Sequence, residues 1–154
     1  ELSLRNLNRV RRERDIFNLK EKVEEYKQRF LQPPESLNDL VIAGLINVLP
    51  QDPEEGSYYY NPNTDQVVSY YLALIEQQRI VAELQGLVNE YFQNYQTYPE
   101  KLEDLKKIIP GILPEDALEQ RVVDPLGGRF DIDPNTHQVY VIPYEEIVRG
   151  QGPR

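Results

Sequence analysis

The chain has 154 residues and a net charge of −9, and it is 40% hydrophobic and 28% charged, a composition typical of a folded protein. The acidic balance argues against nucleic-acid binding, which depends on neutralising phosphates with Lys and Arg. The chain contains no cysteine, which excludes disulfides and thiol chemistry, and no apolar run approaches the roughly 18 residues of a membrane span.

The first predicted element is a long helix over residues 1–31. Its apolar side chains recur at alternating spacings of three and four residues, which places them on one face of a helix. We expect Pro33-Pro34 to end the helix, because neither proline ring can donate a backbone hydrogen bond. The apolar face consists of Ile16, Leu19, Val23, Tyr26 and Phe30.

The start of this helix is locally basic. Five arginines stand against two glutamates within residues 1–14. One interpretation is a solvated helix face. The other is a segment beside an anionic membrane surface, where each basic residue adds favourable energy. Arg11, Arg12 and Arg14 are therefore candidate partner-binding residues.

A short helix and a β hairpin follow. Residues 34–44 are predicted as the helix, because Pro34 suits a first helical position and Gly44 suits a C-terminal cap. Residues 58–60 and 66–69 have β propensity and are joined by a turn rich in Asn and Pro. Leu37 is expected on the buried edge of the short helix.

The second half of the chain repeats this plan. A long helix is predicted over residues 72–95, and its apolar residues follow their first-half counterparts by a constant offset of 65, as Val81 follows Ile16. The hairpin is repeated at an offset of 72, as Asp124 follows Asp52. The difference implies an insertion near residues 110–116, which we predict to be a surface loop.

The repeated phrase predicts an α+β fold with two units. Its core is Asp-Pro, a Gly, an aromatic strand and then Pro-Asn-Thr-x-Gln-Val. Each hairpin is expected to pack on its own long helix, since an isolated two-stranded hairpin is marginal in water. A sheet shared by both hairpins is a further expected arrangement. The predicted boundaries are 1–71 and 72–148, with a flexible tail at 149–154.

Catalytic chemistry has little support in the residues. The only histidine, His137, stands at a turn position that the other copy fills with Asp65, so we predict an exposed turn residue. Gly127-Gly128 precedes a strand rather than a helix, which favours a tight turn over a phosphate loop. The sequence therefore predicts no catalytic residue, and an enzyme is the most distant interpretation.

The carboxylates allow two interpretations. Asp52 and Asp124 precede proline, where a carboxylate most often accepts hydrogen bonds from N–H groups of its own turn. The alternative is a calcium site formed by Asp124 with Asp131 and Asp133, or by Asp52 with Asp65. EF-hand spacing is missing, so the calcium signal is weak and no metal ligands are assigned. We expect no cofactor.

The tyrosines are predicted mainly as core and strand-packing residues. An exposed subset of them could supply contact anchors for a partner protein. Tyr58 and Tyr60 are the candidates for that subset.

The order of these segments resembles the globular part of the major pseudopilin of type II secretion. In the second unit the resemblance is carried by residues 98–105, Tyr-Pro-x-x-Leu-x-x-Leu, and by residues 124–130, which begin Asp-Pro-x-Gly-Gly. The first unit carries it in residues 34–40 and 49–58, so that residues 11–142 are covered. The structural residues that it implies are Tyr26, Pro34, Leu37, Asp52, Pro53, Gly56, Tyr91, Pro99, Leu102, Asp124, Pro125 and Gly127.

The resemblance implies a non-enzymatic structural or interaction protein made of two fused pseudopilin-like units. Its expected place is the periplasm or cell surface, in a pilus-like, secretion or envelope assembly with partner proteins or further copies of itself. The sequence begins without Met, and we expect a fragment or a processed form, with the full-length form anchored in the inner membrane. The alternative is a soluble module that binds calcium or another ligand with its two hairpin loops.

Overall fold

The computed structural model of the chain describes residues 3–150. Within this range the chain is α+β, as predicted, and the contacts divide it between Leu74 and Ile75. The elements of the first part are α1 (Leu4–Phe30), α2 (Asn38–Ile42), β1 (Tyr58–Asn61) and β2 (Gln66–Ser69). They are followed by α3 (Tyr70–Tyr95), a 3-10 helix (Leu102–Lys107), α4 (Leu118–Arg121), β3 (Arg129–Ile132), β4 (Val139–Ile142) and α5 (Tyr144–Gly150).

Helix α1 is the predicted long N-terminal helix. The Ser3 side chain accepts a hydrogen bond from the Asn6 N–H at its start, and at its end Leu31 adopts a left-handed conformation with φ 58°. The central part of the predicted apolar face is buried, but its last member, Phe30, is 42% exposed. The helix therefore uses its middle turns to cover a core.

The first hairpin supplies the other side of that core. Strands β1 and β2 are antiparallel, with Tyr58 opposite Ser69 and Asn61 opposite Gln66. Alternate strand residues point inward, since side chains in a strand alternate between its faces. The buried cluster contains Leu19, Val23, Leu37, Leu40, Tyr58, Tyr60 and Val67.

The second unit has the same kinds of element around its own core. Strand β3 pairs antiparallel with β4, with Arg129 opposite Ile142. On α3 the predicted residue Tyr95 is 47% exposed, whereas the middle of the helix is buried. The buried cluster contains Leu84, Val88, Tyr91, Leu105, Leu118, Phe130, Ile132 and Val139.

The short helices are held by matching carboxylates. Asp39 accepts hydrogen bonds from the N–H groups of Glu35 and Ser36, and Asp104 accepts them from Glu100 and Lys101. The side chain thus closes a turn before the helix. This is why α2 begins at Asn38 rather than at Pro34 as predicted.

The expectation of a shared sheet is wrong for the described residues. Strands β1 and β2 form one two-stranded sheet, and β3 and β4 form another. Each hairpin contributes its inward-facing residues to the core of its own unit. The stabilisation that an isolated hairpin lacks therefore comes from helix packing instead of further strands.

The insertion near residues 110–116 is mainly a surface segment, as predicted, since five of its seven residues are exposed and Ile112 and Asp116 are half-buried. It leads into α4, whose first residue Leu118 is completely buried. Lys106 Nζ donates hydrogen bonds to the carbonyl oxygens of Pro114 and Asp116 at 2.8 and 2.6 Å, and the Leu118 N–H donates to Glu103. These contacts fold the segment back onto the second core.

The predicted flexible tail is wrong for Arg149 and Gly150, because α5 continues through Gly150. The rest of that tail, residues 151–154, lies outside the described residues, as do residues 1 and 2.

Candidate functional site

A buried ion pair joins the long helix of the first unit to the start of its hairpin. Arg12 Nε lies 2.9 Å from Asp52 Oδ2, and one Nη lies 2.8 Å from Asp52 Oδ1. The Asp52 side chain is 0% exposed and that of Arg12 is 10% exposed. The same Nη lies 3.1 Å from Glu54 Oε2. This bidentate geometry fixes the guanidinium and the carboxylate in one orientation.

The charged form of Asp52 is favoured by these contacts. Burial alone would raise its pKa, but hydrogen bonds from Arg12, Ser69 and the Glu54 N–H outweigh that effect and lower the pKa. Arg12 has a raised pKa, chiefly because of its hydrogen bond to Asp52. The pair is therefore ionised at neutral pH.

Asp124 occupies the corresponding place in the second unit and is only 2% exposed. Its partner on the long helix is Gln77, whose Nε2 donates to both carboxylate oxygens at 3.0 Å. Gln77 follows Arg12 by 65 residues, the same offset as the apolar faces. Asp124 also accepts hydrogen bonds from the N–H groups of Leu126 and Gly128, both at 2.9 Å. Both carboxylates thus connect the hairpin to the long helix.

Gly128 is a structural residue that the sequence reasoning did not select. A Cβ at this position would lie 2.5 Å from the Ile142 carbonyl oxygen and 2.6 Å from Asp124 Oδ2. Gly127, which was selected, instead needs glycine for its φ of 85°. The signal that could have revealed Gly128 is the Gly-Gly pair itself, because one tight turn rarely requires two glycines for the same reason.

A second set of contacts holds the turn between β1 and β2. Asp65, in a left-handed conformation with φ 56°, accepts hydrogen bonds from Lys27 and from the Tyr60 hydroxyl, the latter at 2.6 Å. The hydrogen bond from Lys27, followed by that from Tyr60, lowers the pKa of Asp65. Burial, followed by the bond to Asp65, raises the pKa of Tyr60 to about 12. Asp65 is therefore used inside its own unit.

In the second unit an aromatic stack takes the place of this ion pair. His137 stacks on Tyr98 with a centroid distance of 3.9 Å, and Tyr98 stacks on Phe92 at 4.4 Å. Phe92 stands 65 residues after Lys27, and His137 stands 72 after Asp65. His137, with φ 59°, is half-buried, so the prediction of an exposed turn residue is corrected. Its ring packs within the unit and has a structural role here.

Three of the five predicted partner-binding residues are buried. Tyr58 is 7% exposed and its hydroxyl donates to Asp15 at 3.0 Å, Tyr60 is 3% exposed, and Arg12 is held by Asp52. They are packing and ion-pair residues, not contact anchors on the surface. Arg11 and Arg14 are exposed on α1 and stay candidates.

The remaining carboxylates of the alternative calcium site, Asp131 and Asp133, also have local contacts. Asp133 accepts hydrogen bonds from the N–H groups of Asn135 and Thr136 at 2.7 and 3.1 Å, with that from Thr136 the largest cause of its lowered pKa. Asp131 accepts one from the Ile132 N–H at 2.8 Å. Among residues 3–150, no group of three or more His, Asp or Glu side chains is arranged to hold a metal ion.

The residues implied by the resemblance lie at core and turn positions. Pro34, Leu37, Asp52, Tyr91, Pro99, Asp124 and Gly127 are buried, and Tyr26, Pro53, Leu102 and Pro125 are half-buried. Gly56 is exposed and has a φ of 79°, which only glycine adopts at little cost. These positions support the two hairpins rather than forming a cleft.

Two apolar surface features of the described residues lie away from the two buried carboxylates. The first is the α1 stripe, formed by Leu7, Val10 and Phe17, with exposed fractions of 47%, 54% and 61%. The second is the α3 groove, a depression of about 520 Å³ on the second unit. Its charged lining is balanced, with two glutamates and two arginines, and its apolar lining consists of Ile80, Leu84, Leu87, Ile109, Ile112, Leu118, Val122 and Val123.

None of the helices described between residues 3 and 150 combines the length and apolarity needed to cross a membrane. No family model matches the chain, and neither the curated proteins nor the solved structures give a match.

Proposed function

We propose that the protein is a non-enzymatic component of a pilus-like, secretion or envelope assembly, built from two fused pseudopilin-like units. The observation that carries this proposal is that the repeated carboxylates make hydrogen bonds inside their own units. Asp52 and Asp124, the carboxylates that open the repeated phrase, are each bound by a helix residue of their own unit. The repeated residues therefore stabilise the fold, and we assign partner recognition to the outer surface.

The surface that best suits an assembly contact is the start of α1. It combines the apolar α1 stripe with the exposed side chains of Arg11 and Arg14. Exposed apolar groups beside positive charge favour a protein or membrane partner over bulk water. We propose an extracytoplasmic location, with α1 leading toward a membrane anchor in the full-length form.

The alternative of a calcium-binding module has weaker support. Asp65 is bound by Lys27 and Tyr60, and Asp133 closes its own turn. Calcium at Asp65 would compete directly with the Lys27 ammonium, and calcium at Asp133 would share a carboxylate that already closes its own turn. No observation on the hairpin loops offsets that cost.

Charge reversal at Arg11 and Arg14 tests the proposed surface. We expect Arg11→Glu with Arg14→Glu to reduce association with the membrane fraction or the assembly by about 10-fold or more, because each basic residue near an anionic surface contributes favourably. The measurement is fractionation and quantitative blotting in the cells that produce the protein. Thermal stability should stay unchanged, since both side chains are exposed.

The matched control is Lys20→Glu with Arg29→Glu, which makes the same charge change on exposed positions of the same helix. It should leave the distribution as in the wild type. An equal loss in both double variants, or no loss in either, would contradict the assignment of the α1 surface.

A further inference from the structure

The α1 stripe lies on the side of its helix that faces away from the first core. Val10 and Phe17 are seven residues apart, which is two helical turns, and Leu7 precedes Val10 by three. The core-facing residues Leu19 and Val23 lie on the other side of the helix and are 2% and 3% exposed. The stripe is therefore not required by the core that α1 covers.

Two arginines lie on the same outward side as the stripe. Arg11 follows Leu7 by four residues, and Arg14 precedes Phe17 by three. Residues three or four apart are neighbours on a helix surface. Both arginines are exposed, whereas Arg12 between them is turned inward and is only 8% exposed. The outward side of α1 thus carries positive charges among apolar side chains.

The second unit shows that the fold does not need this arrangement. At an offset of 65, α3 has Glu76 where α1 has Arg11. It also has Ala82 where α1 has Phe17. Both helices cover a core of the same kind. Neither the charge nor the aromatic ring at these positions of α1 is therefore explained by the shared fold.

The counterpart of Arg14 is neutralised within its own helix. Arg79, 65 residues after Arg14, forms ion pairs with the glutamates three residues before it and four residues after it. The corresponding positions of α1 hold Arg11 and Asn18, so neither supplies a carboxylate. Two arginines three residues apart also repel each other. The first unit has like charges where α3 has ion pairs, which points to an anionic partner.

The carboxylates near these turns of α1 are bound by other groups. Glu13 forms an ion pair with Arg9, and Glu54 forms one with Arg12. Asp15 accepts a hydrogen bond from a tyrosine hydroxyl of β1. These contacts leave the positive charge of the outward side in place.

The charge on this side of the helix changes sign after Phe17. Glu21, Glu24 and Glu25 are exposed on the turns that follow. An anionic surface would repel them, so the contact is confined to the part of α1 from Leu4 to Phe17, about 20 Å of helix.

We propose that residues 4–17 of α1 bind the surface of an anionic lipid bilayer. The helix lies along the bilayer, with the α1 stripe among the headgroups and Arg11 and Arg14 beside the lipid phosphates. A lipid surface is favoured over an acidic protein because arginines and apolar groups alternate on one convex helix side, which a fluid surface accommodates without a shaped cleft. This inference rests on the proposed function, since it names the partner that the α1 surface meets.

Co-sedimentation of the purified chain with vesicles tests the binding. One set of vesicles contains phosphatidylglycerol and phosphatidylcholine in equal amounts, and the other contains phosphatidylcholine alone. We expect binding to the anionic set at low salt, and its loss as salt rises from about 50 to 500 mM, because salt screens exposed charges. Arg11→Glu with Arg14→Glu should weaken the binding at least about 10-fold, and so should Phe17→Asp.

Each variant has a matched control. Lys20→Glu with Arg29→Glu makes the same charge change on exposed positions of the same helix. Val48→Asp is the control for Phe17→Asp, since Val48 is 77% exposed and lies outside the stripe. Both controls should bind within about 2-fold of the wild type. If Phe17→Asp fails to give a folded circular dichroism spectrum, Val10→Asp replaces it on the same stripe.

A tryptophan reporter separates insertion of the stripe from loose adsorption. The chain contains no tryptophan, so Phe17→Trp and Val48→Trp each introduce a single source of indole fluorescence. The emission of Phe17→Trp should shift to shorter wavelength on anionic vesicles, because the ring moves from water to the membrane interface. The emission of Val48→Trp should stay unshifted.

Four results would each overturn the lipid contact. They are absence of binding to anionic vesicles at low salt, equal binding to neutral vesicles, controls that lose as much binding as the test variants, and an unshifted Phe17→Trp emission.

The outcome can be separated from that of the proposed function. Release from the cell fraction by Arg11→Glu with Arg14→Glu, without any vesicle binding by the pure chain, identifies a protein partner; it refutes the lipid contact and leaves the assembly role standing. Vesicle binding that follows the predicted variant pattern, without any release in cells, supports the lipid contact and refutes the assignment of this surface to an assembly.

Discussion

Replacing Arg12 with alanine should lower the free energy of unfolding of the first unit by about 3–5 kcal/mol. The variant leaves Asp52, whose side chain is 0% exposed, as a buried carboxylate without its main cationic partner. Urea denaturation followed by far-ultraviolet circular dichroism measures the loss. Because the chain has two units, hydrogen exchange at β1 and β2 amides assigns it to the first.

Two further variants separate the ion pair from simple packing. Arg12→Gln places in the first unit the residue type that Gln77 supplies in the second, and it should cost only about 2 kcal/mol because a donor to Asp52 is kept. Arg12→Ala combined with Asp52→Ala should cost less than the sum of the single changes. Equal losses for Arg12→Ala and Arg12→Gln would contradict the role assigned to the pair.

The pH dependence of this difference follows from the lowered pKa of Asp52. A carboxylate with a lower pKa in the folded state stabilises the fold fully above its unfolded pKa, here about 3.8. That contribution is lost as the pH falls through the still lower folded value. The stability gap between the wild type and Arg12→Ala should therefore shrink as the pH falls from about 5 toward 2.

Replacing Leu118 with alanine should destabilise the second unit by about 2–5 kcal/mol. Leu118 is 0% exposed and belongs to the buried cluster with Leu84, Val88 and Leu105. Its truncation leaves a cavity where α4 packs on the 3-10 helix, and the surroundings relax only partly. Urea denaturation gives the total loss, and hydrogen exchange at β3 and β4 amides locates it.

Leu113→Ala is the control for Leu118→Ala. It removes the same atoms from the preceding inserted segment, but Leu113 is 55% exposed, so the change should be within about 0.5 kcal/mol. A loss as small as this for Leu118→Ala would show that α4 does not contribute to the second core.

The elements with a clear period were predictable from the sequence. The spacing of Leu19 and Val23 on α1, and of Leu84 and Val88 on α3, identified the helix faces that are buried. At the C-terminal end of each face the apolar spacing continues, but Phe30 and Tyr95 are exposed because they extend beyond the core. Periodicity indicates which side of a helix is apolar, but only tertiary packing decides how far along the helix that side is covered.

The ion pair was missed because a charged residue on a helix is usually solvated. Arg12 stands among four other arginines, and composition does not distinguish it from Arg11 or Arg14. The offset of 65 between Arg12 and Gln77 was a usable signal, since both residues meet the Asp of their own unit. Contact between residues 40 positions apart depends on the folded chain, which helix spacing does not describe.

The tyrosines of β1 show a similar limit. Three consecutive tyrosines hide the alternation that separates the two faces of a strand. Tyr58 and Tyr60 share the inward face and are buried, while Tyr59 between them is half-buried. The structure shows which tyrosines point inward, but three identical residues in a row give no sequence signal for which of them face the core.

The turn between the two strands of each hairpin is held by different side chains in the two units. In the first unit Lys27 binds Asp65, and in the second Phe92, Tyr98 and His137 stack. In both cases a side chain from the long helix contributes to the fixing of a turn that contains a residue with positive φ. This favours a structural role for the repeated phrase, in which its side chains fix the conformation of the hairpin turn.

A calcium titration followed by thermal unfolding tests most directly whether the carboxylates of the repeated phrase serve the fold instead of a ligand. We predict an unchanged unfolding midpoint at about 5 mM calcium, with equal magnesium as the ionic-strength control. A site with a dissociation constant of about 0.1 mM would add roughly 2 kcal/mol, a rise of several degrees. Such a rise, specific to calcium and abolished by Asp133→Asn or Asp65→Asn, would show that the hairpin carboxylates bind a ligand.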